Sequence, residues 1–410
     1  MKGYSDQAFV VLLHNEPVAH LRVREDGSSA LSFLDSYVQA APRPVLSQKF
    51  EDWNLSKIRR FKSLPPFFQH LLPEGALREY ILRSEHLADS DVELLRRLGR
   101  DLPGAVALVP EDAADDDVPG QIVDEPPAPP AVPKERLRFS LAGVQLKFSA
   151  EREGRVTFPA RDRSGRWIVK LPDRRHPRLP ELEHSMMRWA AATGFEVPET
   201  DVVSASELED MPPHLEWSEA NAYVCRRFDR AEEGLPVHIE DFAQVFGVPL
   251  TDPAKYGRLG HGYLAIARAL SAIAGRDEML VFLRRLVFDI LCGNADSHLK
   301  NWSLIYRDRF HARLAPAYDI VPTVLFPRYY QGLALDFIGV TGFTEITRDR
   351  FRQLAKKLDM SPTDLLAIVD ETIERAKDAF GTSARDWALT AEEGAQLEAH
   401  WRQVPLLRGL

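Results

Sequence analysis

The sequence has few cysteines, no long apolar run and no excess of basic residues. Cys225 and Cys292 are the two cysteines among 410 residues. This number excludes a disulfide framework and a cysteine-based zinc cluster, and it predicts a reducing compartment. The first apolar run, residues 9–13, is too short for a secretory signal, and no run approaches the roughly 20 residues that span a bilayer. We therefore expect a soluble, cytoplasmic protein without a membrane partner.

The charge balance is acidic. The net charge is −9 and the isoelectric point is about 5.8, which argues against a chain that holds nucleic acid through its overall charge. Hydrophobic residues make up 45% of the chain and charged residues 28%, so a sizeable core is expected. The length predicts two or more domains.

The first 110 residues have the pattern of a small α/β unit. Residues 8–13 and 17–23 predict two strands of a hairpin. Residues 65–87 and 91–104 have apolar residues at helical spacing, and Gly104 is the predicted end of the second helix. Residues 105–110 return to a strand pattern.

A linker and two larger regions follow. Residues 111–135 are acidic, rich in proline and poor in large apolar side chains, so they cannot bury enough surface to form a core and predict a linker. Residues 136–228 are rich in strand patterns, with one helix that ends at Gly194. Residues 229–410 are mainly helical. A strand-rich lobe before a helix-rich lobe is typical of a two-lobed nucleotide-binding enzyme of the α+β class.

A polar segment lies between two apolar runs. Residues 293–304 read GNADSHLKNWSL, and three interpretations are open: a solvated loop, a metal site, or the base and ion ligands of a phosphoryl transferase. Phosphoryl transfer needs a carboxylate base, oxygen ligands for magnesium and a lysine for the phosphates. Asp296 and Asn301, five residues apart, fit the base and one ligand. Asp319, after a predicted hairpin, fits the second ligand, although by itself it is more typical of a turn.

Other candidate residues lie upstream of this segment. Lys170 ends an apolar strand and could bind phosphates, or it could be an edge-strand lysine that prevents aggregation. The stretch RFSLAGVQLKFSA contains Ser140, Gly143, Gln145 and Lys147, and predicts either a plain turn or a loop over phosphates whose backbone N–H groups and Lys147 act as donors. His298 has no second histidine at i+4, which favours a structural or phosphate-contacting role over metal binding.

Several stretches, taken in order, resemble the HipA-like serine/threonine kinases, the toxins of bacterial toxin–antitoxin pairs. They are HLLPEG, SLAGVQLKF, WIVKLP, VCRRFDR, GNADSHLKNWS and APAYDI. The resemblance covers most of the chain. It implies a two-lobed HipA/protein-kinase-like α+β fold, with a small N-terminal α/β subdomain (residues 1–110), a strand-rich N-lobe (residues 136–228) and a helical C-lobe (residues 229–410).

The resemblance also implies roles for single residues in an ATP- and Mg²⁺-dependent kinase. Asp296 would be the catalytic base, and Asn301 and Asp319 would be the magnesium ligands. The nucleotide-binding residues would be Lys170, Phe228, His298, Tyr318, Gly143 and Lys147. Ser140 would be a regulatory autophosphorylation site, because a phosphate there adds nearly two negative charges beside a site built for anionic ATP.

The partners follow from the resemblance as well. It implies a protein substrate, with aminoacyl-tRNA synthetases as a substrate class, and a small HipB-like DNA-binding antitoxin through which DNA is contacted indirectly. Two other functions remain open. One is a catalytically weak ATP-binding regulatory module of the same fold. The other is a metal-dependent phosphoesterase that uses the Asp/His cluster.

Overall fold

The computed structural model describes residues 6–111, 147–158, 165–172, 176–211, 215, 221–250, 261–326 and 332–408. The N-terminal unit is built on a five-stranded antiparallel sheet in the order β4-β3-β2-β1-β5. Its strands are β1 (Gln7–Leu13), β2 (Glu16–Val23), β3 (Ser29–Phe33), β4 (Arg59–Phe61) and β5 (Val106–Pro110). The predicted hairpin is confirmed: His14 and Asn15 form its two-residue turn, with φ of 53° and 65°, as a type I′ turn requires.

Five helices accompany this sheet, and two predictions about them were wrong. The helices are α1 (Asp35–Val38), α2 (Gln48–Glu51), α3 (Pro66–Gln69), α4 (Gly75–Ser84) and α5 (Asp91–Leu98). Residues 65–87 form two helices with a loop between them, because Pro73 lacks an N–H and disfavours helical geometry at the residue before it. Helix α5 ends before Gly104, at Leu98. At Gly99 a Cβ atom would lie 2.4 Å from the carbonyl oxygen of Leu108, so the chain turns back to β5 there.

The second region is a six-stranded sheet with one long helix. Its strands are β6 (Lys147–Glu153), β7 (Arg155–Thr157), β8 (Trp167–Lys170), β9 (Thr200–Val203), β10 (Leu208–Glu209) and β11 (Ala222–Arg226), in the order β10-β7-β6-β8-β11-β9. Helix α6 (Leu179–Thr193) ends at Gly194, as predicted, where φ is 102°. Strand β8 pairs on both sides, with β6 and β11. The interpretation of Lys170 as an edge-strand residue was therefore wrong.

The remaining region is mainly helical. Its helices are α7 (Phe242–Phe246), α8 (Tyr263–Ile273), α9 (Arg276–Cys292), α10 (Arg348–Lys357), α11 (Pro362–Ser383) and α12 (Ala391–Gln403). Its strands are β12 (His238–Asp241), β13 (Ser303–Tyr306), β14 (Arg313–Leu314), β15 (Gly332–Phe337) and β16 (Val340–Gly342). The predicted hairpin after residue 302 is confirmed as β13 and β14. The β15–β16 hairpin was missed; it turns through Ile338 and Gly339 at positive φ.

Two buried hydrophobic clusters form the core. One joins α6 to the helical region, and the other contains side chains from both the N-terminal sheet and the six-stranded sheet. The N-terminal unit therefore shares a core with the region that follows it in the structure. Among the helices described, none is both long and apolar enough to cross a bilayer.

Candidate active site

The polar segment, residues 293–304, directly follows helix α9. Gly293 ends the helix at φ 67°, and a Cβ atom on it would lie 2.3 Å from a side-chain methyl of Val324, so only glycine fits this turn. Thr323 then fixes the first residues of the segment. Its hydroxyl donates to the Gly293 carbonyl oxygen at 2.9 Å and accepts from the Ala295 N–H at 2.7 Å.

A buried carboxylate near the end of α9 sets the shape of the segment. Asp289 accepts hydrogen bonds from the Ser297 hydroxyl at 2.5 Å and from the Asn294 amide at 3.3 Å. Burial raises the pKa of Asp289 to about 6, against the lowering effect of these bonds. The Asn294 side chain in turn accepts from the Asp296 N–H at 3.0 Å. This chain of contacts fixes the backbone on both sides of Asp296.

Asp296, the predicted base, has a side chain that is 63% exposed, and one of its carboxylate oxygens lies 3.8 Å from His298 Nε2. Desolvation by the surrounding protein raises the pKa of Asp296. The charge of His298 opposes this change, and the charge of Asp319 adds to it. A carboxylate that is open to solvent and not held by an arginine is suited to accept a proton from a substrate hydroxyl.

Asn301 lies beside the base. It is 8% exposed, and its amide nitrogen donates to the Asp296 carbonyl oxygen at 2.6 Å. Because that bond uses the nitrogen, the amide oxygen remains as a possible ligand for a cation. The short 3₁₀ turn Leu299–Asn301 brings Asn301 back towards Asp296, so residues five apart in sequence become neighbours.

Four charged side chains form the centre of the site. Lys170, at the end of β8, donates to Glu183 of α6 at 2.5 Å and also to Asp319. Lys147, which is paired with Lys170 across the sheet, donates to the other Asp319 oxygen at 3.1 Å. The structure thus brings Lys147 and Lys170 together around Asp319, and it adds Glu183, a carboxylate that sequence reasoning missed.

Burial and charge compete at these groups. Burial opposes ionisation of Asp319, but Lys147 and Lys170 outweigh it and hold the pKa of Asp319 far below its usual value. Burial would likewise lower the pKa of Lys170, and the charges of Asp319 and Glu183 raise it above its usual value instead. The pKa of Glu183 is raised, because burial dominates and its partner Lys170 is shared with Asp319. The cluster therefore holds a charged lysine and a charged Asp319 at neutral pH.

Glu183 is the residue that sequence reasoning missed, and a signal for it existed. Helix α6 buries Leu182, Met186, Met187 and Ala190. Glu183 lies on this apolar face, three residues before Met186, and is 1% exposed. An acidic residue on the buried face of a helix requires a cationic partner. The lysine–glutamate ion pair of protein kinases has the same composition.

Two of the predicted nucleotide-binding residues, Phe228 and Tyr318, are neighbours, and Tyr318 directly precedes Asp319 in the chain. The rings of Phe228 and Tyr318 have centroids 5.3 Å apart. The Tyr318 hydroxyl donates to the Lys300 carbonyl oxygen at 2.9 Å and lies 2.6 Å from the Ser303 hydroxyl. Tyr318 thereby ties the strand before Asp319 to the segment that contains Asp296. Ser140 and Gly143 lie outside the described residues, as does Gln145.

Lys300 has a partner that the sequence did not indicate. Its ammonium group lies 2.5 Å from a carboxylate oxygen of Glu74, in the loop between α3 and α4 of the N-terminal unit. This ion pair joins two regions of the chain. Within the residues that the structure describes, no three His, Cys, Asp or Glu side chains are grouped as a metal site.

Comparisons with known proteins identify the family of the chain. The HipA N-terminal domain family matches residues 9–109 and the HipA-like C-terminal domain family matches residues 139–380. The chain is 38% identical to the Sinorhizobium fredii protein named "Putative kinase Y4dM", with 97% of each chain covered. It is 27% identical to the serine/threonine-protein kinase toxin HipA of Shewanella oneidensis, over 66% of this chain and 65% of that protein.

A solved structure confirms the predicted fold. The HipA chain of a Shewanella oneidensis MR-1 complex of HipA, HipB and operator DNA matches with a TM-score of 0.72 and 21% identity, covering 97% of this chain and 96% of that chain. The mixed α+β, two-lobed fold with its N-terminal α/β subdomain is therefore that of HipA. With two family matches and a relative of 38% identity along almost the whole chain, this protein belongs to the family of HipA-like kinases.

Proposed function

We propose that the chain is an ATP- and Mg²⁺-dependent serine/threonine protein kinase. The observation that carries the proposal is the convergence of Lys170, Glu183 and Asp319 beside the segment that contains Asp296. Three distant parts of the sequence supply these groups: a central strand, a helix and a loop after a hairpin. A phosphoryl transferase needs these groups, and positioning and charge provide most of its catalysis.

The charged cluster fits the phosphates of ATP. Lys147 and Lys170 present two ammonium groups at the end of adjacent strands, and Glu183 holds Lys170 in place. Lys170 is 7% exposed, so its charge acts in a medium of low dielectric constant, where it attracts phosphate strongly. Phe228 and Tyr318 offer apolar ring surface nearby for the base.

The donor set also fits magnesium. Asp319 provides an ionised carboxylate and Asn301 an amide oxygen, and Mg²⁺ is typically bound by one or two carboxylates together with substrate phosphates and water. When bound, the ion neutralises charge that develops on the transferred phosphoryl group. The positive φ of Asp319, 58°, is an uncommon conformation for a residue other than glycine and is typical of functional positions.

Asp296 would carry the proton transfer. The oxygen of the acceptor hydroxyl forms a bond to the γ-phosphorus, the bond from that phosphorus to ADP breaks, and the hydroxyl proton passes to the Asp296 carboxylate. The exposure of Asp296 gives a substrate hydroxyl access to it, and Asp289 acts through Ser297 and Asn294 as a positioning residue.

Transfer of labelled phosphate from ATP tests this proposal. Asp296→Ala and Asp319→Ala should each abolish transfer, whereas Asp277→Ala, an exposed aspartate at the start of α9, should leave it unchanged. Transfer that survives both substitutions would overturn the mechanism. Thermal stabilisation by ATP and Mg²⁺ without transfer in the unmodified protein would favour the ATP-binding regulatory module. Phosphate release from phosphoesters without ATP would favour the phosphoesterase.

We also propose that Ser140 is an autophosphorylation site. The proposal rests on its place just before the predicted phosphate loop and on the family resemblance. The intact mass of active protein should include added phosphate that is missing in Asp296→Ala. Peptide mapping that finds the phosphate on another residue would contradict the assignment.

The biological role proposed is that of a toxin restrained by an antitoxin. The Shewanella oneidensis structure with the same fold contains HipB and operator DNA, and we propose a small HipB-like antitoxin as the partner here, with DNA contacted through it. For the substrate we propose a translation component of the aminoacyl-tRNA synthetase class, on the strength of the family resemblance. Phosphoproteomics after brief induction tests this directly, since a synthetase peptide should gain phosphate only with active protein.

A further inference from the structure

A cleft opens in the helical region, away from the charged cluster. It has a volume of about 270 Å³ and lies between the end of α6, the first half of α9, the β13–β14 hairpin and α11. It shares no lining residue with the candidate active site. Five of its lining side chains are arginines: Arg284, Arg285, Arg307, Arg313 and Arg375.

Arg285 is the most informative of these. It is 6% exposed, and its guanidinium lies over the Trp302 ring, 4.7 Å from the centroid. Its hydrogen bond to a described residue goes to the carbonyl oxygen of Ala315, at 2.7 Å. A guanidinium has five N–H donors, and no carboxylate within the described ranges forms an ion pair with this one. Burying a guanidinium group is costly, and burial lowers the pKa of Arg285 to about 10, although the charge of Asp289, one turn further along α9, opposes this change.

The other arginines leave the cleft positive. Arg307 pairs with Glu196 at 2.5 Å, and Arg284 and Arg375 share the carboxylate of Glu371, at 3.4 Å and 3.3 Å. These contacts neutralise only part of the positive charge of the cleft, since three arginines are paired with two carboxylates.

Arg313 adds a further positive charge to the cleft. It is exposed on β14 and has no ion pair among the described residues. Glu278, an acidic side chain that also lines the cleft, accepts the Leu314 N–H at 2.9 Å, so one of its oxygens is already in use. The buried Arg285 and the exposed Arg313 thus line the same cleft, and both have N–H donors available for a ligand.

We propose that this cleft binds a phosphate-type dianion carried by a small molecule. Planar guanidinium forks match the oxygens of phosphate in pairs, and Arg285 supplies such a fork at the buried end while Arg313 supplies one at the mouth. The volume exceeds that of inorganic phosphate alone, so a phosphorylated metabolite fits the space better. The proposal does not depend on kinase activity.

The position of the cleft links it to the active site. Arg285 contacts Trp302, which follows the magnesium-ligand candidate Asn301, and Ala315, which lies four residues before Asp319. A dianion on Arg285 would therefore stabilise a side chain that contacts residues close in sequence to Asn301 and Asp319.

Calorimetric titration with inorganic phosphate, at constant ionic strength and with ADP and Mg²⁺ saturating the nucleotide site, tests the proposal. Phosphate should bind, and Arg313→Gln should weaken binding about tenfold, the scale of one charge-assisted pair. Arg24→Gln, which removes an exposed charge from the N-terminal unit, is the matched control. Arg285→Lys keeps the charge and loses the fork, so it should also weaken binding. Its melting temperature shows whether it folds.

Crystals soaked in tungstate, a heavy oxyanion, give the location. The expected result is a tungstate within hydrogen-bond distance of Arg285 and Arg313. Equal phosphate affinity in Arg313→Gln and the unmodified protein would overturn the proposal, as would calorimetry without a binding signal or a soaked anion found elsewhere and not in the cleft. A phosphoserine peptide that binds while inorganic phosphate does not would also overturn it, in favour of a protein ligand.

Discussion

Glu74 and Lys300 join the N-terminal unit directly to the segment that carries the catalytic candidates. Their side chains are 10% and 11% exposed and their charged atoms lie 2.5 Å apart. Lys300 also reaches the His70 carbonyl oxygen at 3.4 Å. Because Lys300 lies between Asp296 and Asn301, the N-terminal unit holds the middle of the segment and acts as part of the active-site scaffold.

The first prediction concerns Glu74→Gln. It keeps the size of the side chain and leaves Lys300 without its anion, so the stability should fall by about 1–3 kcal/mol. Phosphate transfer should also fall by roughly tenfold or more, mainly in kcat, since the segment loses an anchor beside the base. The kcat and the KM for ATP, measured well below the melting temperature, separate this effect from unfolding. Glu79→Gln, exposed on α4, is the control, and an unchanged kcat in Glu74→Gln would show that the contact is only structural.

The second prediction concerns Lys170 and Glu183 as a unit. Lys170→Met should lower phosphate transfer by roughly 10²–10³-fold, the scale of losing one preorganised electrostatic group. Glu183→Gln should lower it by a smaller factor, because Asp319 still holds Lys170. The double variant should be little worse than Lys170→Met, since residues that act together are not additive. Glu181→Gln on the same helix should have little effect. If the losses of transfer in the two single variants add fully in the double variant, Lys170 and Glu183 do not act together.

The third prediction concerns a buried ionic network between regions. Asp229 accepts from Arg227 at 2.7 Å, from Arg230 at 2.9 Å and from the Gly104 N–H at 2.9 Å. Asp229→Asn removes the carboxylate that two buried guanidinium groups share, and should reduce the free energy of unfolding by about 3–5 kcal/mol. Urea denaturation measures the change, with the exposed Asp52→Asn for comparison. A change in the free energy of unfolding below about 0.5 kcal/mol would show that these ion pairs do not stabilise the fold.

The fourth prediction concerns the pH dependence of stability. Glu240 is fully buried and accepts from the Ser47 hydroxyl and from the Gln48 N–H at 3.0 Å. Burial raises its pKa from 4.5 to about 8. Between these values the folded protein holds a proton that the unfolded chain releases. The free energy of unfolding therefore falls as the pH rises through this interval, by at most about 1.4 kcal/mol per pH unit.

Glu240→Gln tests this prediction. Melting curves from pH 6.5 to 8.5 should have a flatter stability profile in the variant than in the unmodified protein or in the exposed Glu16→Gln control. His14 and the buried His238 have pKa values that are lowered to about 4 and 3. Their contribution to stability changes below their ordinary pKa of 6.5, so this pH range avoids it. Parallel profiles in all three proteins would contradict the raised pKa.

Local patterns were sufficient for many elements. The helical spacing of apolar side chains predicted α5, and Gly194 marked the end of α6, because these features depend on neighbours in sequence. The same kind of reasoning failed at residues 65–87, where helical periodicity was given more weight than Pro73. That error hid the loop that carries Glu74, and with it the contact to Lys300.

Sequence alone determined the residue types of the site and their order: Lys170 after an apolar strand, Asp296 and Asn301 in one segment, and Asp319 downstream. The tertiary structure determined which charged side chains form ion pairs. Lys170 meets Asp319 across 149 positions and Lys300 meets Glu74 across 226. Neither Glu183 nor Arg285 has a sequence neighbour that explains its charge. The physical reason is that the cost of burying a charge depends on the distance to its partner in space, which the spacing of residues along the chain does not give.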